Sequence, residues 1–362
     1  MKYANCCIVA LLFCGSVLAE PLGLPPLPVP ADNPQSAEKV KLGEKLFNDQ
    51  RFSITGKVSC ATCHAADKAF TDNLPVSEGI NGLKGTRSAP TVINAAYNRT
   101  QFWDGREPTL EAQSKQPFLN PVEMALPDHA FIINIIARDA DYPGMFQKVF
   151  GVPARGINID HVAMAIAAFE RSKVSGDSAF DRYYFGGDGK ALNAAQKRGL
   201  SVYLNEGRCV SCHVIEQTNA LFTDHLFHNI GVGFNSVKDR IKMIATEFIK
   251  SKSQGANVDF AVLSSSNVSQ LGRFAITEAL TDMGGFKTPT LRNIDKTAPY
   301  MHDGSLATLE DVVTFYNNGG RLEESDPLDD FLDGGIRPLN LTEQQQKDLV
   351  EFLKALTSPE YM

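Results

Sequence analysis

The chain has 362 residues, of which 43% are hydrophobic, and its formal net charge is −7. This length and this hydrophobic content suffice for two ordinary domains with cores of their own, and they exclude a fibrous or wholly disordered protein. A mildly acidic chain is also unsuited to binding nucleic acid, because phosphate recognition needs clustered lysine and arginine.

The first nineteen residues have the pattern of a secretory signal peptide. A lysine precedes an apolar run over residues 8–13, and small residues follow it. This order predicts cleavage before Glu20 and export to the periplasm. No apolar run reaches the roughly 20 residues that a membrane-spanning helix needs, so no membrane span is expected. A lipoprotein anchored at Cys14 is the alternative, which the bulky Phe13 before it disfavours.

The next segment predicts an arm followed by a helix. Residues 20–35 are rich in proline, which is typical of an extended arm. Asp32, Asn33 or Ser36 can cap a helix that runs to about Phe47, because each offers a side-chain oxygen to the first free backbone N–H groups.

Two Cys-x-x-Cys-His motifs follow along the chain. Of the seven cysteines, three lie in the predicted signal peptide, and the other four form two pairs that are each followed at once by histidine. Cysteine pairs in an exported chain would otherwise predict disulfides. With the histidine, the motif is the signature of covalent c-type haem attachment, in which the cysteines form thioethers and the histidine ligates the iron. The predicted haem-binding residues are Cys60, Cys63 and His64, and Cys209, Cys212 and His213.

The two motifs lie in similar surroundings, which indicates an internal repeat. Residues 42–47 and 198–203 precede the motifs, and residues 69–72 and 221–224 follow them. A second capped helix is predicted over residues 194–205, in the place that corresponds to the first one.

Helical spacing of apolar residues recurs at 132–140, 161–172 and 342–356, whereas the alternation typical of long sheets is scarce. The glycine-rich segment 185–190 is the best candidate boundary between the halves. The sequence therefore predicts a mainly α protein of two tandem cytochrome c-like domains with long haem-wrapping loops. The predicted domains are residues 36–187 and residues 188–362.

The sixth iron ligand determines what each haem can do. A haem with a strong second ligand passes electrons, whereas a haem with an open face can bind peroxide. Small c-type cytochromes take this ligand from a methionine some tens of residues downstream, and spacing alone selects none of the candidates. These are Met124, Met145, Met243, Met283 and Met301.

With these motifs, the chain resembles the bacterial di-haem cytochrome c peroxidases and their relative MauG over nearly all of its length after the leader. The resemblance rests on both haem motifs and on four further segments in order, which are residues 89–95, 101–106, 287–293 and 297–304. It implies that the N-terminal haem reacts with hydrogen peroxide and that the C-terminal haem relays electrons.

The resemblance also implies a distal pocket, placed by offsets from the single tryptophan. Trp103 matches the family's residue between the haems, and the positions of a distal glutamine, proline and catalytic glutamate fall on Gln113, Pro117 and Glu123. A carboxyl group near the iron could take a proton from peroxide and deliver it to the leaving oxygen. From the residues alone, Glu123 could be a solvated loop residue, Gln113 an exposed one and Trp103 a core aromatic.

Two departures from the peroxidase pattern point towards MauG. Classical members close the first haem with a histidine from the loop before the tryptophan, and residues 75–87 contain none. The N-terminal haem is therefore expected to be five-coordinate without reductive activation. Tyr316 stands where classical members have the methionine ligand of the second haem, and a phenolate would stabilise oxidised iron. Tyr316 also continues an apolar helical stripe and could simply fill the core, in which case Met301 is the alternative ligand.

The resemblance further implies a calcium ion between the haems, bound partly by backbone carbonyls at Thr297 and Pro299. The sequence itself shows no dense carboxylate cluster of the EF-hand kind. His302 could hydrogen-bond near the second haem, and the remaining histidines are expected to be structural. These are His129, His161, His225 and His228.

Three functions remain as alternatives. The first is a peroxidase that takes electrons from a small cytochrome or cupredoxin and relays them through Trp103. The second is a MauG-like enzyme whose peroxide-derived high-valent haems oxidise tryptophan or tyrosine residues of a partner protein. The third is a di-haem electron carrier, which would need no pocket around Glu123 and would profit from a sixth ligand on both irons. A homodimer is one possible assembly.

Overall fold

A computed structural model describes residues 21–323, 325–326 and 330–362 of the protein. The predicted signal peptide lies outside these residues. The described chain is mainly helical, as the sequence predicts, and its strands Phe227–His228 (β1) and Phe286–Lys287 (β2) form one antiparallel pair. Within the described part, no helix combines the length and apolar character needed to cross a bilayer.

Eight α-helices lie within residues 37–184, and short 3₁₀ turns connect them. They are α1 (Ala37–Phe47), α2 (Cys60–Cys63), α3 (Leu110–Gln113), α4 (Gln116–Leu119), α5 (Ala130–Arg138), α6 (Tyr142–Phe150), α7 (Ile159–Arg171) and α8 (Ala179–Tyr184). Seven follow in the described remainder of the chain. They are α9 (Ala194–Leu204), α10 (Ile241–Ser253), α11 (Val258–Ser264), α12 (Ser266–Ser269), α13 (Phe274–Thr277), α14 (Leu309–Asn317) and α15 (Glu343–Lys354).

Side-chain caps fix the starts of the two predicted helices that precede the Cys-x-x-Cys-His motifs. Of the three candidates for the first helix, Ser36 is the cap, and its hydroxyl accepts from the Lys39 backbone N–H at 3.1 Å. Asn193 caps α9 in the same way. The helix predicted to reach residue 140 ends earlier, at Arg138, because the Asp139 carboxylate accepts from backbone N–H groups that begin the next helix.

Two helix pairs meet closely at glycines. A Cβ atom on Gly43 of α1 would lie 1.9 Å from the carbonyl oxygen of Ala165 in α7. A Cβ atom on Gly199 of α9 would likewise lie 1.9 Å from the carbonyl oxygen of Asp348 in α15. The same close crossing therefore recurs in both halves, and only glycine permits it.

Three main clusters of buried apolar side chains form the core. The first extends from Leu42 to Phe169 and the second from Ala179 to Leu356. The third draws its buried residues from 234–283, with α10 at its centre, and the sequence patterns did not predict it. Helix α8 packs into the second cluster, ahead of the predicted glycine-rich boundary, and the boundary itself stays a prediction.

From residue 21 onwards, the arm before α1 holds neither helix nor strand. Its Gly23 carbonyl accepts from the Arg292 guanidinium at 2.5 Å. Arg292 is fully buried and forms a two-pronged ion pair with Asp181, with N···O distances of 2.8 and 2.9 Å. The arm is thus attached to the second half of the molecule.

Candidate functional site

A cavity of about 410 Å³ contacts both Cys-x-x-Cys-His motifs. Its lining includes Cys60 and His64 from the first motif and Cys209 and His213 from the second. None of the four motif cysteines forms a disulfide. Free thiols and an adjacent histidine on the wall of an apolar cavity are the donor set that a covalently attached haem requires.

The motif thiols differ from those of a redox-active pair. Burial raises the pKa of Cys60, Cys63 and Cys209. A disulfide-exchange pair needs a lowered pKa so that a thiolate forms at neutral pH. Attachment of a prosthetic group is therefore the chemistry that fits these cysteines.

Both motif histidines are oriented for ligation through Nε2. The Nδ1 atom of His64 lies 3.2 Å from the Phe70 carbonyl oxygen, and that of His213 lies 2.8 Å from the Phe222 carbonyl oxygen. Because a carbonyl only accepts, each Nδ1 carries the proton and each Nε2 keeps a free lone pair. Burial lowers the pKa of both histidines, which favours the neutral form that binds a metal.

Glu123 sits on a tight turn at the cavity wall. Its backbone N–H donates to the Asn120 carbonyl at 3.1 Å, and its own carbonyl accepts from the Ile80 N–H at 3.0 Å. The Oε2 atom is buried and has no hydrogen-bond partner. Burial, together with the nearby Asp259 carboxylate, raises the pKa of Glu123 to about 8. These properties do not fit a solvated loop residue.

The structure brings the other predicted distal residues to the same cavity. Gln113 ends α3 and Pro117 lies in α4, and both line the cavity together with Trp103, Glu123 and His64. Their roles in a reaction stay predictions.

Trp103 lies where the two halves of the chain meet. Its indole Nε1 donates to the Ser88 carbonyl at 2.9 Å, and the Ser88 N–H donates to the His302 carbonyl at 2.8 Å. The Trp103 carbonyl in turn accepts from the Lys287 N–H at 2.8 Å. Trp103 is half-buried against the cavity and lies outside the apolar clusters, so it is not an ordinary core aromatic.

The surroundings of the candidate residues reduce the number that could supply a sixth iron ligand. Met145 and Met283 pack into apolar clusters, and Met243 is 49% exposed. The cavity lining contains Met124, Met301 and Tyr316. Burial of Met124 in the first cluster, at 3% exposure, gives it a packing role as well.

Tyr316 both packs in the core and faces the cavity, which are the two alternatives that the sequence leaves open. It packs against the second apolar cluster as part of the stripe on α14, and it lines the cavity. Burial raises the pKa of its phenol, so the group keeps its proton unless a cation lies close by.

The segment around the predicted calcium residues also reaches the cavity. Thr297 and Pro299 are part of the lining, and the Asn73 side-chain amide donates to the Ala298 carbonyl at 2.9 Å. Among the described residues, the three-ligand group of His, Cys, Asp or Glu side chains lies elsewhere. The group that does form is Cys212, Asp224 and His228, whose cysteine belongs to the haem motif.

A buried network of charged groups, which the sequence does not predict, lies beside Glu123. The Asp104 carboxylate accepts from Arg87 at 2.6 Å and from Arg106 at 3.0 Å. Arg106 also donates to Asp259 through Nε at 2.8 Å. Asp104 and Arg106 lie in one of the segments that carry the resemblance, but nothing in the sequence around Asp259 signals its place here.

Glu170 is another buried carboxyl group that was not predicted from the sequence. It stands near the end of α7 and lines the cavity, with its Oε2 atom buried and without a hydrogen-bond partner. Burial and the nearby Glu111 raise the pKa of Glu170 to about 8. Its charge would also act on Cys60, because Glu170 contributes to the raised pKa of that thiol.

Comparison with known proteins agrees with this geometry. A family model described as di-haem cytochrome c peroxidase matches residues 37–189. The chain is 35% identical to "Cytochrome-c peroxidase IdrP1" of Denitromonas iodatirespirans, over 99% of this chain and 92% of that protein. It is 33% identical to "Methylamine utilization protein MauG" of Methylorubrum extorquens, over 91% of this chain and 81% of that protein.

A solved structure is similar over nearly the whole chain. It is a MauG-like protein associated with microbial copper homeostasis, with a TM-score of 0.76 and 35% identity, covering 94% of this chain and 95% of that one.

Proposed function

Because the chain belongs to the di-haem cytochrome c peroxidase family, whose cofactors are haems c, we propose that it is an exported oxidoreductase that reacts with hydrogen peroxide beside its N-terminal motif. The observation that carries this proposal is the unpaired, buried Oε2 atom of Glu123 in the cavity that His64 also lines. A plain electron carrier has no use for such a group, since a buried unpaired carboxyl group costs stability.

The side chains around the first motif have distinct proposed tasks. When bound, a haem supplies an iron that can bind peroxide or pass electrons. Glu123 takes a proton from one oxygen of hydrogen peroxide and delivers it to the departing oxygen. Gln113 orients peroxide by hydrogen bonding, and Pro117 limits the space for water. Trp103, held by its hydrogen bond to the Ser88 carbonyl, relays electrons between the halves.

A MauG-like protein-modifying activity is the second candidate. It is supported by the absence of histidine from residues 75–87, which leaves the first site open, and by Tyr316 on the cavity wall. In this proposal His213 and Tyr316 hold the second iron, with Met301 as the alternative to Tyr316. A second haem that favours oxidised iron suits oxidation of tryptophan or tyrosine residues in a partner protein, whereas a peroxidase takes its electrons from a small cytochrome or cupredoxin.

The proposal also covers the domain organisation, a calcium ion, export and assembly of the protein. The two apolar clusters that flank the cavity support two tandem cytochrome c-like domains with haem-wrapping loops. A calcium ion bound at Thr297 and Pro299, export to the periplasm after removal of residues 1–19, and a homodimer complete the proposal.

The reaction of the fully ferric protein with one equivalent of hydrogen peroxide tests the proposal. We expect the high-spin ferric signal of the first haem to disappear without prior reduction. Tyr316→His should leave this reaction intact and change only the spectrum of the second haem. A protein that reacts only after one-electron reduction would follow the classical peroxidase cycle instead, and a protein inert in both states would not be a peroxide enzyme.

A further inference from the structure

The segment that forms the third apolar cluster reaches across to the first haem motif's pocket. Val122, the neighbour of Glu123, packs against this cluster. The Thr86 hydroxyl donates to the Val262 carbonyl at 2.6 Å, and Arg273 donates to the Asp104 and Gly105 carbonyls at 2.9 and 2.8 Å. Residues from the second half of the chain therefore support the pocket that the first half contains.

Asp259 makes the most direct of these connections. It lies in the first turn of α11 and is 6% exposed. Its Oδ1 atom is 2.8 Å from Nε and 2.6 Å from Nη2 of Arg106. Its Oδ2 atom accepts from the side-chain amide of Asn120 at 2.6 Å. One carboxylate thus joins the buried ion-pair network to a buried asparagine.

Asn120 in turn shapes the turn that carries Glu123. Its side-chain oxygen accepts from the Val122 N–H at 3.0 Å, and its carbonyl accepts from the N–H groups of Glu123 and Ala125 at 3.1 and 2.9 Å. Asn120 is fully buried. Its orientation therefore fixes where the Glu123 side chain leaves the backbone.

We propose that Asp259 is a positioning residue for Glu123, which it holds at the cavity wall through Asn120 and Arg106. This inference rests on the proposed function, because it names a residue that serves the same site. The pocket at the first motif is then composite, since its acid-base group is held by a side chain more than a hundred positions later in the chain.

Charge balance supports the same assignment. The network contains two guanidinium groups, on Arg87 and Arg106, and two carboxylates, on Asp104 and Asp259. Removal of the Asp259 charge would leave a buried guanidinium without full compensation, which is costly. Asp259 also contributes, after burial, to the raised pKa of Glu123, whereas Arg106 opposes it.

The test compares Asp259→Asn, Glu123→Gln and the double variant in the haem-loaded protein. Misplacement of a reacting group by about 1 Å can cost on the order of 100-fold in rate. Well above pH 8 Glu123 is ionised whether or not the Asp259 charge is present, so a change in its pKa does not affect the comparison. Under this condition we expect Asp259→Asn to slow the reaction with peroxide roughly 10- to 100-fold and to have no further effect when Glu123 is already glutamine. Asp239→Asn, an exposed site in the same segment, is the matched control and should change nothing.

An infrared measurement separates positioning from catalysis. At pH 6 the protonated Glu123 carboxyl group should give a C=O band that is absent from Glu123→Gln, and Asp259→Asn should shift that band. Equal slowing by Asp259→Asn in both backgrounds, or an unshifted band, would overturn the inference. If Glu123→Gln itself does not slow the reaction but the band still shifts, the acid-base role of Glu123 fails and the positioning by Asp259 stands.

Discussion

The proposed reaction with peroxide depends on the Glu123 carboxyl group. We expect Glu123→Gln to retain both haems and to slow the reaction with peroxide by ~10²–10⁴-fold, because an amide cannot exchange protons. In the parent protein the rate should rise as pH increases through about 8, where Glu123 loses its proton and becomes able to accept one. Stopped-flow spectra across this pH range measure both effects.

The control for this substitution is Glu78→Gln. Glu78 is exposed and pairs with Lys84 at 3.3 Å, so its loss should leave the rate unchanged. A Glu123→Gln variant that reacts as fast as the parent would remove Glu123 from the mechanism.

Glu170 makes the stability of the protein depend on pH. Its pKa of about 8 lies above that of a glutamate in the unfolded chain, so the folded state holds a proton that the unfolded state releases. The protein therefore pays no cost for ionising this group below about pH 4.5, and it loses stability as pH rises from there towards 8. The slope is at most about 1.4 kcal/mol per pH unit for one proton.

Glu170→Gln removes this proton exchange and keeps the size of the side chain. Thermal unfolding of both proteins between pH 5 and pH 8 should show the variant gaining on the parent as pH rises. A difference in melting temperature that stays constant across this range would mean that Glu170 is already ionised at pH 5.

Among the functional residues, those that could be predicted from the sequence are the ones whose chemistry requires them to be neighbours in the chain. The haem motifs are of this kind, because two thioethers and a ligand must come from five consecutive positions. Asp259 and Glu170 were not predictable, since a carboxylate acquires its significance here from burial and from partners far away in the chain.

The crossing of α9 and α15 depends on the absence of a side chain at Gly199. We expect Gly199→Ala to destabilise the protein by about 1–3 kcal/mol, because the added methyl group would overlap the Asp348 carbonyl. Thermal unfolding of the haem-loaded protein measures this.

Gly144→Ala is expected to have the opposite effect on stability from Gly199→Ala. Gly144 is exposed in α6 with no atom near its missing Cβ, so the substitution should stabilise by about 0.5–1 kcal/mol through helix propensity. If both alanine variants unfolded at the same temperature as the parent, the close crossing would not be a constraint.

The helices show which local signals the sequence carries. Starts at Ser36 and Asn193 were predictable because a cap bonds to residues within three positions of itself. The third apolar cluster was not, because the apolar residues of α10 have helical spacing but nothing in the sequence identifies their partners. The tight crossing at Gly43 also depends on a helix more than a hundred residues away.

For the whole molecule, the central expectation is two covalent haems. Protein matured with c-type haem attachment should exceed its polypeptide mass by two haems and stay coloured after acid denaturation. Replacement of Cys209 and Cys212 by serine together should leave one covalent haem. A parent protein with one haem or none would refute the assignment of both motifs.

The contact between the arm and Arg292 imposes an order in time. Gly23 and Arg292 are 269 positions apart, and a chain exported from its N-terminus presents the first long before the second. Until Arg292 emerges, the arm has no partner there and the loop between them cannot close. The emerging chain therefore passes through an interval in which both Cys-x-x-Cys-His segments are present but the arm's contact with Arg292 is not. An enzyme that must reach those cysteines to join haem to them has its opportunity in that interval.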